Sequence, residues 1–270
     1  MVVQHNLTAM NANRQLGITT GSQAKASEKL SSGYRINRAG DDAAGLSISE
    51  KMRSQIRGLN KASTNAQDGV SLIQTAEGAL NEAHAILQRM NELATQAAND
   101  TNTTVDRDAI QAEINQLTSE IDRISSTTQF NTMNLLDGTF SGKNLQVGAL
   151  AGQVIGIGIS SMSASGLSVT GLTVADNTKA GTAMTAVQNA IKQLSTQRSQ
   201  LGAIQNRLEH TIANLDTTSE NTQAAESRIR DTDMAETMVE YSKNNILAQA
   251  GQAMLAQANQ STQGVLSILG

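Results

Sequence analysis

The sequence predicts a mainly α-helical protein, an elongated antiparallel helical bundle or coiled-coil-like rod with paired terminal helices and a small β-rich middle segment. Three observations support this prediction. The 270 residues include no proline, only 1% are aromatic, and apolar residues recur at heptad spacing over long stretches. Nothing therefore interrupts a helix from within, and the apolar stock of Ala, Leu, Ile, Val and Met favours long, thin helical packing over a thick globular interior.

The longest heptad pattern predicts the first rod helix. Apolar or small residues recur every seven positions from Leu59 to Ala94, and a second series lies three positions later, from Ala62 to Ala97. Six unbroken repeats are typical of a coiled-coil seam. At about 1.5 Å per residue, a helix over residues 56–98 would be roughly 60 Å long.

Two further helices are predicted to pack along the first. A polar break at residues 99–104 precedes apolar residues spaced by four and three from Ile110 to Ile124, and heptad spacing returns from Val187 to Leu215. The three apolar stripes can bury one another in an antiparallel bundle. Rod packing is predicted for Ile73, Leu80, Leu87, Ile114, Leu117, Leu201 and Leu208.

The middle of the chain has a different pattern. Asp137-Gly138 and Ser141-Gly142 are turn signals, and residues 153–159, QVIGIGI, are interpreted as alternating with period two. Residues 138–178 are therefore predicted to form a small β-rich or loop region.

The chain ends carry thin apolar stripes. Such stripes seldom hold an isolated helix in water, because ordering the backbone costs about 1–2 kcal/mol per residue. We expect both ends to be disordered in a free subunit and to fold when neighbouring copies supply apolar surface. The residues predicted to carry assembly are Leu7, Met10, Leu247, Met254, Leu266 and Leu269.

The charge distribution limits which binding partners are expected. The net charge of −4 argues against a general nucleic-acid binder. Residues 1–40 are predominantly basic and residues 231–270 predominantly acidic. The two ends are expected either to attract each other or a neighbouring copy, or to form separately solvated faces.

Other sequence features argue against several kinds of protein and functional site. The chain has no cysteine for disulfides, no run of roughly 18 apolar residues for membrane insertion, and no basic start with an apolar core that would indicate a cleaved secretory signal. The three histidines, His5, His84 and His210, lack a metal-binding spacing, and Asp41-Asp42 is interpreted as a helix start or salt-bridge partner. We therefore expect no enzyme activity, cofactor, or catalytic or metal site.

Two segments near opposite ends carry a family resemblance. Residues 28–46, EKLSSGYRINRAGDDAAGL, and residues 206–210, NRLEH, resemble bacterial flagellin, and the match covers roughly residues 1–140 and 180–270. The resemblance implies a structural subunit that polymerises into the helical flagellar filament used for swimming. It also implies an extracellular location, reached through the flagellar type III apparatus without signal cleavage.

The resemblance further implies a division of the chain and a set of partners. Residues 1–42 and 231–270 would line the inner tube of the filament, residues 43–137 and 182–230 would form the rod, and residues 138–181 would be a short variable region. The implied partners are the chain itself, an export chaperone on the C-terminal segment, the flagellar cap, and hook–filament junction proteins.

Flagellins are also similar in carrying a patch read by the innate-immune Toll-like receptor for flagellin. The positions that match this patch are Gln88, Arg89, Glu92, Leu93 and Glu113. From the residues alone, a second interpretation is sufficient, in which the leucine packs and Arg89 and Glu92 are simply solvated.

Alternative functions stay open at this point. A hook–filament junction subunit would share related ends. A secreted coiled-coil receptor ligand would remain monomeric at high concentration. A hydrolase is disfavoured, because no nucleophile has a base beside it at a recognised spacing.

Overall fold

The computed structural model describes the backbone of residues 6–269 and the side chains of residues 6–261. It confirms the mainly helical prediction. The described chain forms two compact units, one containing Met1–Gln55 and Asn221–Gly270 and the other Ile56–Glu220. The elements are α1 Leu7–Ser32, α2 Ala43–Ala97, α3 Thr104–Thr127, β1 Gln129–Phe130, β2 Met133–Asn134, β3 Lys143–Gln146, β4 Val154–Ile157, α4 Asn177–Arg230 and α5 Met234–Leu269.

In the unit formed by residues 56–220, α2 runs antiparallel to α4. The Ser219 hydroxyl donates to the Asn60 side chain at 2.6 Å, while the Asn177 amide donates to the Ala98 carbonyl at the other end of the pair. Their facing heptad residues form one apolar core with α3 and the middle segment. Of the predicted rod-packing residues, Leu117 is partly buried, and those buried in this core are Ile73, Leu80, Leu87, Ile114, Leu201 and Leu208.

The turn between α2 and α3 follows the polar break seen in the sequence. Thr103 and Asp106 form a capping box, with each side chain accepting a hydrogen bond from the other's backbone N–H. The bond from the Thr103 backbone lowers the pKa of Asp106. Arg107 donates from Nε to the Ala97 carbonyl at 3.0 Å, so the last turn of α2 is tied to the first turn of α3.

The chain after α3 contains two short antiparallel hairpins. The larger, β3–β4, lies within the predicted β-rich region of residues 138–178, whereas β1–β2 lies just before it, in residues that the sequence assigned to the rod. In the larger one, Lys143 of β3 pairs with Ile157 of β4, and β4 buries Ile155 and Ile157 while its intervening residues stay exposed. Gly138 and Gly142 adopt φ of 90° and 63°, a left-handed backbone that glycine takes without steric cost.

Hydrogen bonds from helix side chains hold residues 158–174 against the helices. The Gln197 amide accepts from the Ser160 N–H and donates to the carbonyl two residues earlier, both at 3.3 Å. Asp122 and Gln111 bind backbone groups further along the same segment. These bonds satisfy backbone groups that have no strand partner, and so hold an irregular segment against an apolar core.

In the other unit, the terminal helices α1 and α5 pair antiparallel, as predicted. The Asn6 amide donates to the Ala258 carbonyl at 3.0 Å, and at the opposite end the Thr232 N–H donates to the Gly33 carbonyl at 3.0 Å. The helix α1 continues through residues 17–22, where its apolar stripe fades. Its C-cap is Gly33, with φ of 76°.

Candidate assembly and recognition surfaces

The terminal unit has a very small core. Among its described side chains, the buried apolar residues are Ala26, Ile36 and Ala248. Many of its larger apolar side chains are exposed. We define the terminal apolar surface as the exposed large apolar residues of α1 and α5, which are Leu7, Met10, Ile18, Met234, Met238, Val239, Ile246, Leu247 and Met254. Exposed apolar side chains concentrated on one helix pair are a candidate surface for binding another molecule.

Four of the residues predicted to carry assembly belong to this surface. Leu7 is 67% exposed, Met10 65% and Met254 66%, while Leu247 is 46% exposed. Leu266 and Leu269, the other two, lie outside the residues whose side chains the structure describes. The described members of the predicted set are therefore available to a partner.

The opposite charges of the two chain ends do not pair directly. The ion pairs of the terminal unit within residues 6–261 join Arg38 to Glu28, and Arg53 and Arg230 to Glu50. None of these connects α1 to α5. Over the described side chains, apolar and hydrogen-bonding contacts therefore hold the helix pair.

A junction clasp, formed by residues 33–35 and 229–232 together with Glu50, was missed by the sequence reasoning. The Arg35 N–H donates to the Arg230 carbonyl at 2.7 Å, forming part of a short antiparallel bridge. The Arg230 guanidinium lies 4.6 Å from the Tyr34 ring centroid and 3.1 Å from the Glu50 carboxylate. The available signal was Tyr34, one of the few aromatic residues, next to Arg35 in the segment of residues 28–46. Its partner Arg230 lies near the other end of the chain, so no local pattern connects the two.

The aspartate pair acts in backbone capping. Asp42 accepts from the Gly45 N–H at 2.8 Å, which starts α2. Asp41 accepts from the N–H groups of Arg38 and Asn37, and these bonds lower its pKa. The nearby Arg38 guanidinium pairs with Glu28, so of the two interpretations, helix start or salt-bridge partner, the structure supports the helix start.

The residues of the predicted receptor patch come together on α2 and α3. Arg89 donates to Glu113 at 2.9 Å and to Glu92 at 3.3 Å, and the pKa of Arg89 is raised by these carboxylates, chiefly Glu113. Gln88 is exposed one residue away, whereas Leu93 is only 2% exposed. The polar members present an ion-paired surface, and Leu93 supports it from the core.

The described residues show neither a membrane span nor a metal cluster. Within the part of the chain that the structure describes, no helix is long and apolar enough to cross a membrane. No group of three His, Asp or Glu side chains in that part is arranged to hold a metal ion. His84 contacts Gln88 on its own helix, and His210 lines an open groove beside β4.

The pairing of α1 with α5 can be tested by cross-linking, because the native chain has no cysteine. A Cβ placed on Gly251 would lie 3.8 Å from the Leu16 Cβ, which is about the mean separation in disulfides. The double variant Leu16→Cys/Gly251→Cys, oxidised mildly in the assembled state in which the ends are expected to be ordered, should therefore form an intramolecular disulfide, seen as a faster band in non-reducing electrophoresis. The control Leu16→Cys/Asn244→Cys shifts one partner by about 10 Å along α5. Equal cross-linking of both variants would contradict the register.

The long helices and the exposed terminal apolar surface are typical of a structural protein that self-associates through its helices. The residues match family models for the bacterial flagellin N-terminal helical region over 3–141 and the bacterial flagellin C-terminal helical region over 184–269. The chain therefore belongs to the bacterial flagellin family, as its resemblance predicts, and this is a family of flagellar filament subunits.

Individual relatives agree. The chain is 58% identical to flagellin of Halalkalibacterium halodurans over 271 residues and 53% identical to flagellin of Bacillus subtilis over 304 residues, with full coverage of both chains in each case. A crystal structure of Bacillus cereus flagellin matches with a TM-score of 0.51 and 34% identity, covering 60% of this chain and 94% of that one.

Proposed function

We propose that copies of this chain polymerise into the helical flagellar filament used for swimming, with the terminal apolar surface forming contacts between subunits. The observation that carries this proposal is the composition of the terminal unit, which buries two alanines and one isoleucine among its described apolar residues and leaves nine large apolar side chains of α1 and α5 exposed to water. Covering a large apolar side chain contributes about 1.5–3 kcal/mol. Head-to-tail contacts that do not close into a ring propagate a helical polymer.

The proposal assigns a role to each segment. Residues 1–42 and 231–270 line the inner tube, residues 43–137 and 182–230 form the rod, and residues 138–181 form the short variable region. The small core of the terminal unit supports the further proposal that the chain ends gain most of their order on docking to neighbouring subunits. Amide exchange in α1 should then be fast in the free subunit and slow in the filament, and strong protection in the free subunit would contradict this.

The proposed partners other than the chain itself use the same ends. The exposed apolar residues of α5, including Met238 and Ile246, suit an export chaperone that covers them before assembly. The subunit would leave through the flagellar type III apparatus without signal cleavage and become extracellular. The cap and the hook–filament junction proteins would bind the two ends of the growing polymer.

Seeded growth tests the proposal. The purified chain is added to short fragments of its native filament, and electron microscopy measures filament length over time against a sample without seeds. Long tubes growing from the seeds are expected. A junction subunit would add to a tip without extending it, and a secreted receptor ligand would remain monomeric, so absence of elongation would reject the proposal.

We also propose that the innate-immune Toll-like receptor for flagellin binds the patch formed by Gln88, Arg89, Glu92 and Glu113. Support comes from the exposure of all four polar residues and from the two ion pairs that orient the Arg89 guanidinium. A positioned arginine is the kind of side chain that dominates binding energy at interfaces.

Receptor signalling by the Arg89→Ala variant should fall by roughly tenfold or more in a reporter cell assay. The matched control is Arg123→Ala, which removes an exposed arginine that pairs with Glu120 on α3. Both variants should keep native helix content, because exposed ion pairs contribute little to stability. Equal signalling by the two variants would reject the patch.

A further inference from the structure

The four most exposed methionines with described side chains lie on the terminal helices. Among the residues with described side chains, Met10, Met234, Met238 and Met254 are all more than half exposed, and all four lie on α1 or α5. In the other unit, Met90 and Met162 are buried, at 0% and 4% exposure. Met184 is partly buried there, and Met133, in the β1–β2 hairpin, is 41% exposed. Met52, on the part of α2 in the terminal unit, is intermediate in exposure.

We propose that Met10, Met234, Met238 and Met254 form an oxidation-sensitive site through which peroxide blocks assembly of this chain. The inference rests on the proposed function, since it requires that these side chains become buried between copies. Hydrogen peroxide transfers one oxygen to the thioether. An S–O bond forms, the O–O bond breaks, the sulfur loses two electrons, and the peroxide is reduced to water.

The positions of the four sulfurs make the whole helix pair sensitive. Met10 and Met254 lie at the end marked by the Asn6–Ala258 hydrogen bond, each four residues from one of its partners. Met234 and Met238 lie one turn apart at the start of α5, next to the junction clasp. Contacts formed at either end of the α1–α5 pair therefore include an oxidisable side chain.

Oxidation changes the property on which the contact depends. A thioether is apolar and flexible, whereas a sulfoxide carries a polar S–O group that is costly to bury without a hydrogen-bond donor. Each buried sulfoxide should weaken subunit addition by about tenfold. The free subunit keeps its fold because the oxidised side chains are exposed in it.

The modification is chemically reversible. Methionine sulfoxide reductases return each sulfoxide epimer to the thioether, with a dithiol as the electron donor. The chain has no cysteine, so a thiol reductant has no disulfide or thiol of this protein to act on. Recovery of assembly after reductase treatment would therefore report on methionine.

The test compares wild type, the variant Met10→Leu/Met234→Leu/Met238→Leu/Met254→Leu, and the control Met133→Leu. Leucine keeps the apolar character and nearly the volume of methionine but cannot be oxidised under these conditions. Each chain is treated with dilute hydrogen peroxide, freed of peroxide, checked by mass spectrometry for added oxygen at each methionine, and added to untreated seeds.

Treated wild type and treated Met133→Leu should elongate at least about tenfold more slowly than their own untreated samples, whereas the treated quadruple variant should elongate at the rate of its own untreated sample. Reductases with dithiothreitol should restore growth of treated wild type. Unchanged elongation of oxidised wild type, or equal inhibition of the quadruple variant, would overturn the inference. Failure of the untreated wild type to elongate would instead reject the proposed function, and this inference with it.

A second measurement needs no variant. When assembled filaments and free subunits are exposed to the same peroxide concentration, the four sulfurs should oxidise at least about tenfold more slowly in the filament, because burial limits access. Equal oxidation rates in the two states would show that assembly does not cover these side chains, and would overturn the inference.

Discussion

Replacing Leu247 and Met254 with aspartate should stop filament elongation while the free subunit keeps the helix content of the wild-type free subunit. Both side chains are exposed in the subunit, so neither substitution leaves a cavity or a buried charge there. In the polymer, each aspartate would lie in an apolar contact, where an unpaired carboxylate costs several kcal/mol. Seeded growth followed by electron microscopy measures the loss, and far-ultraviolet circular dichroism checks the helix content.

A matched control separates the terminal apolar surface from exposed apolar residues in general. Val105 lies at the start of α3 and is 74% exposed, more than either replaced residue. The Val105→Asp variant should elongate at the wild-type rate, because this position lies outside the proposed contact. If it fails as completely as the double variant, loss of growth reflects added negative charge and the assignment of the surface is wrong.

The helices could be predicted from the sequence because their burial is periodic. A heptad pattern reports which face of a helix is covered, and Leu80 and Leu208 are fully buried where that pattern places them. Docking of residues 158–174 could not be predicted in this way. It depends on single polar side chains such as Gln197 and Gln111, and one amide that binds a distant backbone leaves no periodic signal.

The predicted receptor patch shows the same limit of prediction from the sequence. Leu93 was included in the receptor patch by family resemblance, but it is buried. It lies one position before Ala94, a member of the predicted heptad series, and both are covered because α2 packs against α3 as well as α4. A helix with two partners buries a wider stripe than a two-helix seam. The exposure of Leu7 and Met10 agrees with the sequence, since their stripe is too thin to indicate an internal core.

Replacing the buried Leu208 with aspartate should unfold the unit of residues 56–220. The side chain is 0% exposed and packs so closely over Gly69 that a Cβ there would lie 3.3 Å from Leu208 Cδ1. The substitution removes about 1.5–3 kcal/mol of apolar burial and adds an unpaired buried carboxylate at a further cost of several kcal/mol. Folded domains are typically stable by only about 5–15 kcal/mol, so urea unfolding should show a much earlier transition or none.

The control for this substitution is Asn206→Asp, which places the same new carboxylate two residues earlier on an exposed position of α4. It should change the unfolding midpoint little, because its charge stays in water.

Leu208→Asp and the double variant at Leu247 and Met254 should both fail to elongate, but for different reasons. The first loses helix content before seeds are added, whereas the second keeps it. An early unfolding transition in both variants would mean that the terminal apolar surface also supports the subunit fold, and would contradict its assignment to contacts between copies.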